Sequence, residues 1–385
     1  MDICVLNPFF YPYQGGTEKV LFEIYSRIAR NNNVTVISAA PRDKNQNSTE
    51  EISGIKVIRL KTSYWDLPIL PLPFLSFHGL NYAIVRENSE IYHLNNRYQY
   101  FYGTLSAIKR IDKKLAITIH NSLPMNIDPV IDNLGLFYDD IWGRRLIHNS
   151  DIITGVSKYA IDVTVPKTDI KRSSVIYNGV DYNKFEKIEK NDKRIVDIKR
   201  KLGFGGRTII TNGRLVKQKG QIYLIKAVAE LINEGYKDLD LLIIGRGSLE
   251  NYFYGVARSL GIEKNFRISY SIDESMLPYY YNLGDLFVLP SLYEPASLAV
   301  LEALSCELPS VVSDIGGLTE MSGAYGIRAK PKSVAEIKER IIYVLENENE
   351  ARSMARKGRK LMLERHDWDK IAKKYERLFL DYARY

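Results

Sequence analysis

Residues 286–303 read LFVLPSLYEPASLAVLEA, and the order of apolar and polar residues in them indicates the architecture of the whole chain. Its first four residues are a short apolar run that ends at Pro290, which is typical of a buried strand. Pro295 suits the start of a helix, and the residues that follow are mostly apolar. A strand that leads through a loop into a helix is one β-α unit, and chains of such units form parallel sheets.

The same alternation of short β-branched runs and longer amphipathic segments continues along the chain. The predicted strands lie at 3–6, 34–38, 55–60, 90–94, 115–119, 152–155 and 175–177 in the first half, and at 208–211, 241–244, 267–270, 286–289 and 310–313 in the second. The segment 178–206 is mostly polar and separates the halves. The sequence therefore predicts an α/β protein with domains at 1–185 and 186–367, and the length of 385 residues also favours two domains.

The composition, with 45% hydrophobic and 26% charged residues, is that of a globular protein. The net charge of +8 is shared by both halves, so we do not expect a nucleic-acid partner. Cys4 and Cys306 both lie in apolar segments. We expect them to be buried thiols and neither a disulfide nor a metal site.

The sequence has no segment that is expected to cross a membrane. Its most apolar stretch, at 67–77, is interrupted by Pro68, Pro71 and Pro73 and is too short to span a bilayer. No basic leader with a cleavage site follows Met1, so cytoplasmic localisation is expected. Residues 368–385 carry an apolar stripe at helical spacing, which predicts a helix that packs on its own protein. A helix lying on a membrane surface is the alternative.

Glycines and cations follow several of the predicted strands, and ligands of open parallel sheets bind beyond the carboxyl ends of the strands. Gly15 and Gly16 come at the start of the first helix, where backbone N–H groups can approach a phosphate. A plain strand-to-helix turn explains them equally well. Gly245 and Gly247 form a similar turn after the strand at 241–244.

Arg214 and Lys219 flank the loop after the strand at 208–211. Two cations at the carboxyl end of a strand can converge on a diphosphate. A solvated basic loop is the alternative interpretation. The pattern indicates an anionic ligand but does not identify it.

Two glutamates follow the strand at 286–289. Glu294 lies in the loop, and the helix is expected to start at Pro295, so that three backbone N–H groups would point at an anion: those of Ala296, Ser297 and Leu298. Glu302 lies inside an otherwise apolar helix and needs a partner. Ribose hydroxyls would serve as donors to it, and a neighbouring arginine is the structural alternative.

Taken in chain order, the motifs are Gly15-Gly16-x-Glu18, His120, Gly213-Arg214 with Lys219-Gly220, Gly245-x-Gly247 and Glu294-x7-Glu302. This set resembles the retaining glycosyltransferases of family 4, which have the GT-B fold, and the resemblance covers nearly the whole chain. It implies two Rossmann-like domains whose parallel sheets face each other across a cleft. The first domain would bind the acceptor and the second the nucleotide-sugar, and the helix at 368–385 would cross back to the first domain.

The resemblance also implies roles for the matched residues. Arg214 and Lys219 would hold the donor diphosphate and stabilise the charge that grows as the glycosidic bond breaks. Glu294 would bind the transferred sugar, Glu302 the ribose, and His120 the sugar or the acceptor, although His120 is otherwise read as a loop histidine with a satisfied ring. The remaining donor-side matches are Gly15, Gly16, Gly213, Gly245, Gly247, Ala296, Ser297 and Leu298, and the acceptor-side candidates are Glu18 and Asn121.

The implied activity is retaining transfer of a hexose-type sugar from a UDP- or GDP-linked donor, without a cofactor or a metal. Asp238-Leu239-Asp240 matches the metal motif of the other major glycosyltransferase fold, but it precedes a strand, so we predict a turn there. The base is expected to contact residues 267–271. Departures from the family pattern at Asn121, Ser248 and Ala296-Ser297 leave the identity of the sugar open.

The acceptor is expected to be a glycan or a lipid-linked molecule. The apolar connection at 64–77 would allow peripheral contact with the cytoplasmic face of a membrane if it is exposed, and burial in the core is the alternative. Two other functions remain open. One is a nucleotide-sugar epimerase on the same fold, which would isomerise a donor without any acceptor, and the other is a non-catalytic partner subunit.

Overall fold

The computed structural model describes residues 1–13, 15–66, 73–95, 97, 103–121, 129–270 and 272–383. The chain divides into two compact units, one formed by Met1–Asn178 with Trp368–Tyr385 and the other by Gly179–Asp367. The break after Asn178 precedes the expected boundary at residue 185. The reason is that Val180 donates to the carbonyl of His366 over 2.7 Å, and the ring of Phe185 packs 5.7 Å from that of Tyr281, so both belong with the second unit.

The described part of the first unit contains an eight-stranded sheet in the order β10-β9-β8-β7-β1-β2-β4-β3, with a separate hairpin β5-β6. Its strands are β1 (Asp2–Leu6), β2 (Asn33–Ala39), β3 (Ser48–Ile52), β4 (Ile55–Leu60), β5 (Thr62–Trp65), β6 (Phe74–Phe77), β7 (Ile91–Asn95), β8 (Lys114–Ile119), β9 (Ile152–Gly155) and β10 (Ser173–Val175). Its helices before the break are α1 (Gly16–Ile28), α2 (Leu80–Glu87), α3 (Thr104–Arg110), α4 (Pro129–Tyr138), α5 (Arg144–His148) and α6 (Lys158–Thr164). The sheet is parallel except for β3, which pairs antiparallel with β4.

The second unit is built around a six-stranded parallel sheet in the order β13-β12-β11-β14-β15-β16. Its strands are β11 (Arg207–Asn212), β12 (Leu239–Ile244), β13 (Phe266–Ser269), β14 (Leu286–Leu289), β15 (Ser310–Ser313) and β16 (Gly326–Ala329). Its helices are α7 (Lys193–Leu202), α8 (Gln221–Asn233), α9 (Glu250–Ser259), α10 (Leu277–Leu283), α11 (Leu298–Ser305), α12 (Gly316–Ser322), α13 (Val334–Glu346) and α14 (Glu348–Arg365).

The predicted strands are present within a few residues of their expected positions, with one displacement. The strand expected at 175–177 lies at Ser173–Val175. Four strands were not predicted: β3, β5, β6 and β16. β5 and β6 fall in the apolar connection 64–77, of which residues 67–72 lie outside the described residues.

The last helix, α15 (Trp368–Ala383), belongs to the first unit and confirms the prediction that the C-terminal stripe packs on its own protein. Its buried face includes Trp368, Ile371, Tyr375 and Phe379. An ion pair of 2.8 Å between Arg27 Nε and Asp369 Oδ1 joins it to α1. The apolar stripe is therefore covered by the first unit.

The two cysteines and the hydropathy of the helices were also considered in the sequence. Cys4 and Cys306 are free and buried, and burial raises the pKa of both thiols, as expected for inert core cysteines. Among the helices in the described ranges, none is long and apolar enough to cross a bilayer.

A buried polar chain links the sheet of the first unit to α15. His93 of β7 is 2% exposed, and its Nδ1 meets the hydroxyl of Tyr25. Its Nε2 lies 2.7 Å from Thr118 Oγ1, which in turn lies 3.3 Å from the hydroxyl of Tyr375. Burial, with a smaller contribution from His120, lowers the pKa of His93 to about 3. The neutral ring is therefore the form that the fold requires.

Replacing His93 with glutamine is expected to weaken the pH dependence of stability between pH 6.5 and about pH 3. In this window the unfolded chain binds a proton that the folded His93 excludes, so the free energy of unfolding falls as the pH falls. One such group contributes up to about 1.4 kcal/mol per pH unit. Urea unfolding at several pH values above and below the midpoint of an ordinary histidine measures the slope.

The control for this prediction is His78→Gln. The His78 side chain is exposed and its ring lies 2.9 Å from Ser63 Oγ, so its removal should leave the slope unchanged. His120, whose pKa burial lowers to about 4, is present in all three proteins, so its burial contributes to each slope. An identical slope for wild type and His93→Gln would contradict the prediction.

Candidate functional site

The strand order of the second unit reverses between β11 and β14, because the chain builds β12 and β13 on one side and β15 and β16 on the other. The carboxyl ends of two strands at such a reversal leave a crevice that is a common ligand site in open α/β sheets. The loop from Gly213 to Gly220 follows β11, and the segment 290–297 follows β14. The second unit thus places both charged motifs predicted from the sequence at one point of its sheet.

Lys219 and Glu294 form an ion pair that joins these two segments. The Lys219 Nζ meets Glu294 Oε2, and the side chains are 14% and 8% exposed. Ser291 Oγ lies 3.4 Å from the same carboxylate oxygen. The pair ties the loop after β11 to the segment after β14 and holds a cation and a carboxylate side by side.

Arg214 lies in the same loop, with an exposed side chain. Within the described ranges of the chain, no ion pair engages its guanidinium. Gly213 precedes it, and a Cβ built there would lie 3.3 Å from Lys219 Cε, so the lysine side chain runs close against this backbone. Arg214 and Lys219 therefore belong to one short loop, with Lys219 paired to a carboxylate and Arg214 turned to solvent.

The glycines after β12 serve a close approach between two loops of the protein. Gly245, at φ +143°, has the carbonyl of Gly213 closer than 3.0 Å to the position of a Cβ. Gly247 approaches the backbone of Leu215 equally closely. Leu215 N also donates to the carbonyl of Arg246 over 2.8 Å. The sequence predicted close contact with a ligand here, and the structure shows contact with the loop that carries Arg214.

Helix α11 begins later than expected. It starts at Leu298, with Ser297 as its N-cap residue at φ −127°, so the prediction of a helix from Pro295 is wrong. The physical reason is that Glu294 is tied to Lys219 and that the backbone of residues 294 and 295 packs against the start of α12. Ala296 and Ser297 therefore lie in the loop, and only Leu298 of the three predicted anion-facing residues is in the helix.

Gly317 in α12 was not singled out from the sequence. A Cβ at this position would lie closer than 3.0 Å to the carbonyl oxygens of Glu294 and Pro295. The absence of a side chain therefore allows α12 to support the backbone of the Glu294 segment. The sequence signal for it is the glycine pair Gly316-Gly317, which follows the predicted strand at 310–313.

Glu302 has a different partner from either of those considered in the sequence analysis. Its side chain is in α11, 5% of the residue is exposed, and Oε2 accepts a hydrogen bond of 2.8 Å from the hydroxyl of Tyr281. That hydroxyl accepts a hydrogen bond of 2.8 Å from Asn212 Nδ2. Glu302 thus has a buried tyrosine of α10 as a hydrogen-bond partner, which the sequence did not predict.

The segment expected to contact a base ends at Ser271, which lies outside the described residues. The guanidinium of Arg267 donates hydrogen bonds to the backbone carbonyls of Glu263 and Phe266 over 2.9 and 2.7 Å. Tyr270 is 53% exposed, and the Arg246 guanidinium lies 5.7 Å from its ring centroid. An exposed aromatic ring with a cation over it thus follows the carboxyl end of β13.

The Asp-x-Asp sequence lies at the opposite end of the strands. Asp240 is 4% exposed and accepts hydrogen bonds from the N–H groups of Gly205 and Gly206 over 3.1 and 2.8 Å. Asp238 pairs with Arg207 over 3.0 Å. Both carboxylates hold the start of β11 and β12, and Asp240 is in a strand where the sequence predicted a turn.

The remaining predicted residues belong to the first unit. Gly15 is the N-cap residue of α1, Gly16 is its first residue, and Glu18 Oε1 accepts a hydrogen bond of 3.5 Å from Asn7. Asn7 directly follows β1, which pairs with β7, so Glu18 reaches the carboxyl edge of this sheet. A Cβ on Gly15 would meet the Glu18 carboxylate, which makes this turn a tight one.

His120 follows β8 and is 8% exposed. Its Nε2 lies 3.1 Å from Asn95 Oδ1 at the end of β7, and burial lowers the pKa of His120 to about 4, so the ring is neutral. The carbonyl of Asn121 accepts a hydrogen bond of 3.0 Å from Arg97, which forms a partly buried ion pair of 2.6 Å with Asp139. Arg97 and Asp139 were not predicted, because an ion pair over this sequence distance leaves no local pattern.

Comparison with known proteins gives matches in both units. Residues 14–184 match the family model Glycosyltransferase Family 4, and residues 195–361 match Glycosyl transferases group 1. An uncharacterised glycosyltransferase of Methanocaldococcus jannaschii is 28% identical over 62% of this chain and 63% of its own length, and a second one is 24% identical over 98% of both. The crystal structure of Anabaena HepE in complex with UDP-glucose has a TM-score of 0.76, with 17% identity over 98% of this chain and 99% of that chain.

Proposed function

The chain belongs to the family 4 glycosyltransferases with the GT-B fold, and we propose that it transfers a hexose-type sugar. The proposed donor is a UDP- or GDP-linked sugar, and the proposed acceptor is a glycan or a lipid-linked molecule. The proposed reaction retains the anomeric configuration. The second unit binds the donor. The first unit, through Glu18, His120 and Asn121, contributes the acceptor side. Peripheral contact with the cytoplasmic face of a membrane stays a prediction.

The observation that carries the proposal is the pairing of Lys219 with Glu294 beside Arg214, at the reversal of the second sheet. When the glycosidic bond breaks, negative charge develops on the departing diphosphate. Two cations on one loop stabilise that charge, and a protein cation already in place does so without reorganisation. This is also why we propose a reaction that needs no divalent metal and no cofactor, the nucleotide-sugar being a substrate.

Glu294 is proposed to bind hydroxyls of the transferred sugar and not to attack it. Retaining glycoside hydrolases use one carboxylate as a nucleophile and a second carboxyl group as an acid. Glu294 instead has Lys219 as its partner, which lowers the nucleophilicity of the carboxylate, and Glu302 is held by Tyr281. We therefore propose that a donor phosphate oxygen takes the acceptor proton on the face from which the leaving group departs.

Solved complexes of proteins with a similar fold suggest which donor nucleotide to test first. Anabaena HepE has been crystallised with UDP-glucose, which makes UDP the first nucleotide to test here. The proposed contacts are Arg214 and Lys219 to the diphosphate, Glu302 to the ribose, and the backbone around Gly213, Gly245, Gly247 and 296–298 to the donor. Gly15 and Gly16, at the start of α1, remain candidate donor contacts.

Thermal unfolding with UDP, GDP and ADP in parallel tests the donor site. We expect UDP or GDP to raise the midpoint, because a ligand at about 100 times its dissociation constant adds about 2.7 kcal/mol to the folded state. The shift should vanish in the Arg214→Ala plus Lys219→Ala double variant, which loses both phosphate-facing cations. Absence of a shift with any nucleotide at millimolar concentration would favour the non-catalytic partner.

Product analysis then distinguishes transfer from the other enzymatic function. Incubation of the wild-type protein with the sugar donors of the identified nucleotide should give free nucleoside diphosphate only when an acceptor is present. Proton NMR of the product should show the anomeric configuration of the donor. An isomerised nucleotide-sugar formed without acceptor would identify an epimerase instead.

A further inference from the structure

Tyr281 lies at the centre of a buried hydrogen-bond chain that joins three elements of the second unit. Its hydroxyl donates to Glu302 Oε2 in α11 over 2.8 Å and accepts from Asn212 Nδ2 at the end of β11 over 2.8 Å. The residue itself, in α10, is 0% exposed.

The hydrogen-bond chain through Tyr281 connects the two parts of the proposed donor site. Asn212 directly precedes Gly213 and Arg214, the loop proposed to hold the diphosphate. Glu302 is the carboxylate proposed to hold the ribose. In a nucleoside diphosphate the ribose and the diphosphate are covalently joined, so the protein groups that bind them must keep a fixed separation. Two hydrogen bonds through Tyr281 hold that separation before any donor arrives.

The side chain of Tyr281 is itself held in place. Its ring packs edge-on against Phe185 with centroids 5.7 Å apart, and 5.9 Å from Phe287 of β14. Burial and the Glu302 carboxylate raise the pKa of Tyr281 well above its ordinary value, so the hydroxyl keeps its proton and donates to Glu302. A phenol fixed in this way restricts the rotamers of the glutamate that it contacts.

We propose that Tyr281 is a positioning residue for the ribose of the donor, which holds the Glu302 carboxylate at a fixed distance from the diphosphate loop. The inference rests on the proposed function, in which Glu302 accepts hydrogen bonds from ribose hydroxyls. It adds a residue that does not touch the donor and yet determines how strongly the protein prefers a ribonucleotide over its deoxy analogue.

The test is calorimetric titration of the nucleoside diphosphate that stabilises the wild type, together with its 2′-deoxy and 3′-deoxy analogues and inorganic pyrophosphate. The proteins are wild type, Tyr281→Phe, Glu302→Gln and the matched control Tyr280→Phe. Tyr280 is in the same helix, is partly exposed and, among the described residues, makes no hydrogen bond through its hydroxyl. Thermal unfolding without ligand verifies that each variant is folded.

We expect Tyr281→Phe to weaken binding of the ribonucleotide about tenfold, the effect of one hydrogen bond to a charged group. Binding of at least one deoxy analogue and of pyrophosphate should change less than twofold, because the lost preference concerns the ribose hydroxyls alone. Tyr280→Phe should match the wild type throughout. Glu302→Gln should lose the preference for the ribonucleotide in the same way.

Two outcomes would overturn the proposal, and they differ in what else they overturn. If Tyr281→Phe weakens all four ligands equally, Tyr281 acts through packing alone, while the proposed function survives. If wild type binds the ribonucleotide and both deoxy analogues equally, the ribose assignment of Glu302 fails as well. If Tyr281→Phe does not fold, Asn212→Ala removes the other hydrogen bond of the Tyr281 hydroxyl, at the half-buried end of the hydrogen-bond chain. We expect the same selective loss of ribonucleotide binding from this variant, and the same two outcomes would overturn the proposal.

Discussion

Replacing Lys219 with alanine is expected to lower kcat for sugar transfer by about 100- to 1,000-fold. The loss follows from removing a fixed charge at the place where negative charge develops, for which single-group deletions in other enzymes cost about this much. The free energy of unfolding should also fall, by about 3 kcal/mol, because Glu294 would remain buried without its ion-pair partner. Steady-state kinetics and urea unfolding of the same preparation measure the two effects.

Two variants separate the loss of catalysis from the loss of stability. Adding Glu294→Gln to Lys219→Ala removes the unpaired charge, so stability should recover while activity should not. Lys217→Ala removes an exposed cation from the same turn and should leave kcat unchanged. A Lys219→Ala enzyme with kcat within threefold of the wild type would refute the electrostatic role.

Replacing Gly317 with alanine is expected to destabilise the second unit by about 3 kcal/mol and to abolish most of the activity. The added methyl group would lie closer than 3.0 Å to two backbone carbonyls, those of Glu294 and Pro295, and neither can rotate away as a side chain could. Overpacking of this kind usually costs about 1–3 kcal/mol and more where backbone must move. Circular dichroism during urea unfolding, with activity at low temperature where the protein stays folded, provides the measurement.

Gly255→Ala is the matched control for that substitution. Gly255 is exposed within α9, and apart from its chain neighbours and the backbone of its own helix no atom lies within 4 Å of the position of its Cβ. Alanine is a better helix former than glycine, so this variant should be unchanged or up to about 1 kcal/mol more stable. If both variants behaved alike, the close approach of α12 to the Glu294 segment would not limit stability.

The fold could be predicted from the sequence where the strands are buried on both faces. The four residues of β14 are all buried, which is why a plain apolar run predicted their bounds correctly. β3 lies at the edge of its sheet and reads STEEI, mostly exposed, so it carries no apolar alternation. β16, an edge strand that contains a glycine and an arginine, lacks the signal for the same reason.

The residue types of the candidate site and their order in the chain could be predicted from the sequence, but the contacts between them could not. Two cations after β11 and two carboxylates near β14 are visible in the sequence. Their pairing is not, since Lys219 and Glu294 meet only because β11 and β14 are neighbours in the sheet. The partner of Glu302 was missed for a similar reason. Nothing in the spacing of α10 distinguishes the buried hydroxyl of Tyr281 from those of the tyrosines beside it.

The place of α15 in the first unit has a consequence for how the protein can be divided. The second unit is one unbroken segment, Gly179–Asp367, whereas the first is made of two, so in covalent terms the second unit is inserted into the first. A fragment that stops at Asn178 would lack the surface that covers His93 and would need the C-terminal peptide supplied in trans. A fluorescent label on the last residues, although these follow the second unit directly in sequence, would report on the first unit.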